Sequence, residues 1–341
     1  MADKIRLEGN RLHCPFVKSH FDIFFSLVDY RNNYFTSDDP EKIIEFYNGF
    51  ENRDQLIQWM KERPKGVHII CEVEGDKDII VVIPTGDYNG KFARECRDNI
   101  FKGLHMIFVE SGGRDDFYFK YAHNCNVGIK KAMEYNPKWV VVSNDDMKKI
   151  DNPEGLRKQL LKIDEHRIYT VFTKTAPDKY HSMPVYSGKP NILGKFYLFL
   201  GNKINFLPYD FWGILDRKHG LMKKFKIHYI LLPKHFISKI FFKNLKPITL
   251  TSSFSIFSSK FINGKDLKIF NENYINGAED WEISLELTHY SRSVAFIDYL
   301  IGEFAGGSLG SGSSRAGRNR AMRDIANVSL FNYLHEDEFY K

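Results

Sequence analysis

Cysteine is scarce in this chain and follows no recognisable pattern. Four cysteines occur in 341 residues, and none forms a Cys-x-x-Cys pair. Structural zinc sites usually depend on such pairs, so we expect none here. Free thiols inside regular structure usually pack as small apolar side chains, which favours a reducing compartment. The four are Cys14, Cys71, Cys96 and Cys125.

Long apolar runs are also lacking. No run of about 18 uncharged apolar residues occurs, and residues 1–12 lack the apolar stretch of a signal peptide. We therefore expect no membrane-spanning helix and a cytoplasmic location. The net charge of +6 suits an anionic ligand but is too small to require nucleic acid, so no nucleic-acid partner is predicted.

Acidic residues are missing from one long segment. No Asp or Glu occurs between Arg217 and Lys265, while nine Lys or Arg lie between Arg217 and Lys246 among Phe, Ile, Leu and Tyr. The segment could dock peripherally on an anionic membrane surface. It could instead hold a lipid phosphate or another anionic acceptor, or its Lys stems could cover a core as a solvated face. The sequence leaves all three open.

What is present is a regular alternation between residues 79 and 172. Four apolar runs begin at Ile79, Met106, Trp139 and Ile168, and three helical patterns separate them. Short strands that alternate with helices are typical of a parallel, helix-covered sheet. We predict an α/β fold with a mostly parallel sheet flanked by helices.

The flanking parts are assigned from weaker patterns. Helices are predicted at Pro40–Phe50 and Asp54–Lys61, and a strand at Val67–Val73. Past residue 252 we expect two further strands, a helix from Glu279, and a surface helix over Arg318–Tyr333. The predicted domains are an N-terminal extension or cap (1–78), a main domain (79–310) with a basic-aromatic insertion at about 211–250, and a C-terminal tail and helix (311–341).

A polar loop follows each of the first three strands. Ligands of open parallel sheets bind beyond the carboxyl ends of the strands. The third loop, Asn144-Asp145-Asp146, carries hard oxygen ligands that suit Mg²⁺ or Mn²⁺ bridged to a diphosphate. Asn and Asp are also common turn residues, so a simple turn is the alternative. The other two loops are Pro84-Thr85-Gly86-Asp87 and Glu110-Ser111-Gly112-Gly113.

Five short motifs together resemble a known family. VVIPTGD, VESGG, NCNVGIKKA, VVVSNDDM and NGAEDWEISLEL occur in this order. They resemble the motif set of the inverting family 2 glycosyltransferases, which have the GT-A fold. The resemblance covers Ile79 to about Phe172 and Thr251 to about Ser308. It implies a UDP-sugar or other nucleotide-diphospho-sugar donor, and a glycan, protein or lipid-phosphate acceptor.

The resemblance also implies roles by position. The nucleotide-sugar-binding set would be Pro84, Thr85, Asp87, Glu110, Asn126, Gly128, Asn144 and Asp145. Asn144-Asp145-Asp146 matches a metal-binding Asp-x-Asp whose first Asp is Asn here, so Asp146 is the expected direct metal ligand, with Asp145. Glu279-Asp280 matches the pair whose aspartate is the general base.

The chemistry alone asks for the same groups. A leaving diphosphate gathers charge that a cation must stabilise, and an attacking hydroxyl must give its proton to a carboxylate. Asp145 and Asp146 would meet the first need. Asp280, near the start of a helix whose dipole favours its ionised form, would meet the second. The alternative for Glu279-Asp280 is a helix-opening acidic pair.

One departure from the family pattern concerns a His that can join the metal. Glu303 stands in the corresponding stretch, either as an oxygen ligand or as a surface residue. We therefore carry two hypotheses. One is a metal-dependent inverting glycosyltransferase, and the other is a non-catalytic module of similar fold that binds a nucleotide or an anionic surface.

Overall fold

The computed structural model describes most of the chain between residues 40 and 335. The described residues are 40–63, 68–111, 120–165, 168–176, 179–180, 185–194, 196, 220–227, 240, 242–248, 253–283, 294–304 and 320–335. Most of the predicted insertion at 211–250 lies outside them, as do Gly112 and Gly113.

The described strands form one large sheet and one two-stranded sheet. They are β1 Ile69–Val73, β2 Asp76–Thr85, β3 Leu104–Glu110, β4 Trp139–Ser143, β5 Met147–Lys149, β6 Ile168–Ala176, β7 Lys179–Tyr180, β8 Val185–Pro190, β9 Phe242–Ile248, β10 Phe254–Ser258 and β11 Val294–Glu303.

The large sheet is mixed. Its order is β1-β3-β2-β4-β10-β6-β11-β5, with β7 paired to β6. β2 is parallel to β3 and β4, and β11 is parallel to β6. β10 runs antiparallel between β4 and β6, and β1 and β5 are antiparallel edge strands. The α/β class is confirmed, but "mostly parallel" is wrong for the strand pairs, because the chain returns as β10 through the middle of the sheet.

The central strands are buried on both faces, which explains their unbroken apolar sequences. Ile79, Val81 and Ile83 of β2 pack into the core on one face. Ile80 and Val82 pack into a second core on the other. Successive side chains of a strand point to opposite faces, so one run supplies both layers.

The described helices lie both in the sheet domain and in the N-terminal and C-terminal segments. They are α1 Pro40–Asn48, α2 Arg53–Glu62, α3 Lys91–Glu95, α4 Tyr121–Met133, α5 Pro153–Leu160, α6 Leu221–Lys224, α7 Ser259–Asn263 and α8 Arg320–Leu334; residues 279–283 are also helical. The single helix expected after β2 is a short α3 continued by a π-helical turn, Cys96–Ile100.

The C-terminal helix α8 is buried, so the predicted surface location is wrong. Every residue from 325 to 332 is buried. Its polar side chains are accommodated by distant partners: the Asn327 amide pairs with the Ile275 backbone, and the Ser329 hydroxyl donates to the Phe225 carbonyl.

The N-terminal segment contributes to the same body. β1 pairs with β3 in the large sheet, and the boundary expected between residues 78 and 79 falls inside β2. α1 and α2 pack against α8. Among the described residues, no helix is long and apolar enough to cross a membrane.

Candidate active site

The predicted loops meet at the carboxyl ends of the parallel strands. Thr85 ends β2 and is the register partner of Glu110, which ends β3. The Thr85 hydroxyl donates a hydrogen bond of 2.7 Å to Asp145 Oδ2, beyond the end of β4. Pro84, buried one position earlier, is the register partner of Val109. Two of the predicted loops are thus joined by one buried hydrogen bond.

Asp145 and Asp146 concentrate negative charge inside the protein. Each is only 7% exposed. The Cys96 thiol donates to the Asp145 carbonyl oxygen over 3.2 Å. Burial first, and then the charges of Asp145 and Asp146, raise the pKa of this thiol well above its ordinary value. Two adjacent, nearly buried carboxylates are a setting that favours a cation.

Glu303 lies beside this acidic pair rather than on a remote surface. β11 pairs with β5 so that Glu303 is opposite Met147, and the Phe304 amide donates to the Asp146 carbonyl over 2.8 Å. The Asn144 side chain donates to Glu303 Oε1 at 3.3 Å. Two strands that the sequence places far apart therefore bring a third carboxylate to the end of β4.

The first loop is ordered by its own polar groups. The Asp87 amide donates to the Thr85 hydroxyl, and the Asp87 carboxylate accepts from the Asn89 amide. Glu110 accepts a 2.7 Å hydrogen bond from the Tyr88 amide. The Asp87 side chain is exposed, so its carboxylate faces solvent at this edge.

Asn126 and Gly128 have structural tasks. The Asn126 amide donates to the Phe270 carbonyl and to Glu272, and its oxygen accepts from the amides of Ile269 and Phe270. A Cβ on Gly128 would lie 2.3 Å from Val82 Cγ1, because α4 packs closely on β2. Their contacts with a nucleotide stay predictions. Within the structure, Asn126 holds the segment 269–272 and Gly128 allows α4 to pack closely on β2.

The segment before Glu279 is held by side chains from three helices. Arg63, at the end of α2, donates to the carbonyls of residues 272–274. From α8, Asn327 donates to the Ile275 carbonyl and accepts from the Ile275 amide. With Asn126 of α4, these contacts fix the backbone over residues 269–275.

The backbone immediately before the acidic pair is strained. Asn276 has φ +47° and Ala278 has φ +70°. The left-handed region costs a residue with a Cβ about 1–2 kcal/mol, and Asn tolerates it better than Ala. Such strain persists only where surrounding contacts enforce it, and it concentrates at functional sites.

A series of hydrogen bonds leads from Asp145, by way of the first turn of α4, towards the segment before Glu279. From Asp145 it passes to Thr85, whose carbonyl accepts from the Ser111 amide. The Ser111 hydroxyl accepts a 2.6 Å bond from Asn124 in the first turn of α4. The amide that opens this helix, Tyr121 N–H, donates to the Asn276 side chain.

The path ends at Asn276, three residues before Glu279. Glu279 is 2% exposed and Asp280 is half-buried. Burial raises the pKa of Tyr121 well above its ordinary value, and the charges of Glu279 and Asp280 raise it further. Tyr121, in the first turn of α4, therefore lies within electrostatic reach of both carboxylates.

Metal ligation is only partly provided by the chain. Among the described residues, no group of three His, Cys, Asp or Glu is arranged to hold a metal ion. Mg²⁺ is commonly held by one or two carboxylates together with substrate phosphates. Asp145 and Asp146 suit that second arrangement.

Several residues of the site were not predicted from the sequence. They are polar or basic side chains that position the loops, namely Arg63, Asn124, Asn276 and Asn327. Asn124 and Asn276 open two of the quoted motifs, but no role was assigned to them there. Arg63 and Asn327 have partners up to 211 positions away, so no local pattern marks them.

Comparison with known proteins does not assign a family. No protein-family model matches this chain, and a search of curated proteins gives no match. The motifs and the geometry therefore carry the functional argument.

Proposed function

We propose that this protein is a metal-dependent inverting glycosyltransferase. It would move a sugar from a nucleotide-diphospho-sugar to an acceptor hydroxyl. The observation that supports the proposal is the chain of contacts that leads from Asp145, through Thr85, Ser111 and the first turn of α4, to Asn276, three residues before Glu279-Asp280.

The two acidic groups have different proposed tasks. Asp146 and Asp145 would hold Mg²⁺ or Mn²⁺, which supplies charge stabilisation to the leaving diphosphate. Asp280 accepts the proton of the acceptor hydroxyl as its oxygen bonds to the anomeric carbon. The bond between that carbon and the diphosphate breaks on the opposite face, and the nucleoside diphosphate leaves with the electron pair. The sugar configuration is therefore inverted.

The segment 269–275, which several side chains hold in place, leads to the proposed base Asp280. A general base must lie within hydrogen-bond reach of the proton it accepts, so its backbone has to be positioned closely. Arg63, Asn126 and Asn327 provide that positioning from α2, α4 and α8. Helices from both ends of the described chain thus serve one loop.

The decisive experiment separates chemistry from binding. Asp280→Asn keeps the side-chain shape but removes the base, so transfer is abolished while the nucleotide still raises the melting temperature in the presence of Mn²⁺. Asp298→Asn, the same substitution at an exposed position of β11, is the control and keeps full turnover. Retained turnover in Asp280→Asn would refute the role of this carboxylate.

A non-catalytic binding module is the second candidate, favoured by the missing three-residue metal group among the described positions. Incubation with several nucleotide sugars and Mn²⁺, without acceptor, distinguishes the two. Slow release of nucleoside diphosphate supports the enzyme. The module is supported if nucleotide sugar and Mn²⁺ raise the melting temperature but no nucleoside diphosphate is released, whether or not acceptor alcohols are present.

A further inference from the structure

An exposed group of apolar side chains lies at one end of the small two-stranded sheet. β8 and β9 are antiparallel, and Pro190 is the register partner of Phe242 at this end. Residues 191–196 and residue 240 lie just beyond that pair. We call the four exposed side chains there the apolar tip: Ile192 (86% exposed), Leu193 (58%), Phe196 (58%) and Ile240 (47%).

The tip is a built feature of the fold. The Asn191 side chain donates a 2.7 Å hydrogen bond to the Ile240 carbonyl. The same side chain accepts a 2.8 Å bond from the Gly194 amide and so caps the helical segment that begins at Ile192. One amide therefore holds the two strand ends together and presents their apolar residues side by side.

The strands behind the tip are basic. Lys189 and Lys243 are register partners, and Lys246 is the partner of Ser187. No Asp or Glu occurs in residues 185–196 or between Arg217 and Lys265. The charge of this part of the sequence is therefore of one sign, which suits an anionic surface.

We propose that the apolar tip docks the protein on the surface of an anionic lipid bilayer. Apolar side chains that enter the region between headgroups and acyl chains, backed by lysines at the headgroups, are the combination that binds such a surface. A second copy of the chain would satisfy the apolar side chains but would bring together two segments of the same positive charge. This inference does not depend on the proposed enzymatic activity.

The test is flotation of the full chain with lipid vesicles at low salt. Vesicles of phosphatidylcholine mixed with phosphatidylglycerol are expected to retain the protein, and pure phosphatidylcholine vesicles are expected to retain much less. Leu193→Ser should lower the partition coefficient about ten-fold, since a buried Leu contributes about that factor. Leu161→Ser is the matched control, because Leu161 has a similar exposure of 54% but caps the end of α5 and is not part of the tip.

A charge variant tests the electrostatic part independently. Lys243→Glu places an acid opposite Lys189, so the melting temperature should hold or rise. Partitioning onto anionic vesicles should nevertheless fall about ten-fold and respond less to added salt. Should Leu193→Ser fail to fold, Ile192→Ser and Lys243→Glu still provide the test.

Three results would overturn the proposal. The first is wild-type protein that anionic vesicles do not retain at low salt. The second is an equal loss of partitioning in Leu193→Ser and Leu161→Ser. The third is Leu193→Ser that changes the sedimentation of the free protein but not its vesicle binding, which would assign the tip to self-association.

Discussion

Single residues at the site are explained by contacts that the sequence does not display. Asn126 and Gly128 form part of a motif that predicts nucleotide binding, yet one secures the 269–272 segment and the other allows close helix packing. Ala278 is at φ +70° without any local sign in its residue type. A motif therefore predicts which positions matter, while the physical reason depends on neighbours distant in the chain.

Gly128 gives a direct test of close packing. In Gly128→Ala the new Cβ would meet Val82, so the free energy of unfolding should fall by about 1–3 kcal/mol. Adding Val82→Ala frees that space, and denaturant titration should show the double variant less destabilised than the sum of the two singles.

Gly155→Ala is the control, because a Cβ there meets nothing closer than Tyr299 Cδ2 at 3.9 Å. Alanine is the better helix former, so this variant should be about 0.5–1 kcal/mol more stable than the parent protein. Strict additivity of Gly128→Ala and Val82→Ala would contradict the packing explanation.

At the scale of elements, the sequence predicts local structure better than arrangement. β4 begins at Trp139 and β6 at Ile168, as predicted, and β2 and β3 contain the other two apolar runs, because burial of both faces leaves a continuous signal. The insertion of β10 between β4 and β6 leaves no such signal, since strand order depends on long-range pairing. The burial of α8 was missed because Asn327, Ser329 and Asn332 look solvent-exposed until their partners are known.

The contact between α8 and the site can be tested with two asparagines of the same helix. Asn327→Ala removes both hydrogen bonds to Ile275 and should lower unfolding free energy by about 1–3 kcal/mol. It should also lower kcat, since the segment leading to Asp280 loses an anchor. Initial rates at saturating donor, with chemical denaturation alongside, give both quantities.

Asn332→Ala is the matched variant, because this buried amide donates to the Val328 carbonyl within α8. It should lose stability but keep kcat at temperatures where both variants remain folded. An equal fall of kcat in the two variants would mean that α8 affects the site only through global stability.

At the scale of the whole molecule, buried thiol and phenol groups make the stability of the fold depend on pH in the alkaline range. Burial is the largest cause that raises the pKa of Cys96, Cys125, Tyr121 and Tyr274 well above their ordinary values of 9.0 for thiols and 10.0 for phenols. The folded state keeps these protons when the unfolded state has released them. Their contribution is therefore complete below pH 9.0 and is lost as pH rises above it.

The melting temperature should consequently fall progressively above about pH 9. Cys125→Ala removes one thiol whose pKa is raised by burial. The melting temperature of this variant should therefore fall less steeply between pH 9.0 and pH 10.0, the ordinary pKa values of thiols and phenols. Differential scanning calorimetry at a series of pH values measures both. A melting temperature that stays constant from neutral pH to above pH 10.0, the ordinary pKa of phenols, would contradict the burial of these groups.

The bond between Asn327 and Ile275 has a consequence for biosynthesis. Translation runs from the amino end, so a ribosome-bound chain that already carries the acidic pair still lacks the helix that anchors the loop in front of it. The loop, which contains the left-handed residue Ala278, lacks the contacts of Asn327 until about fifty more residues have been synthesised. The loop in front of the acidic pair therefore acquires its last anchor late in synthesis, and a polypeptide released before position 327 would carry the carboxylates without that anchor.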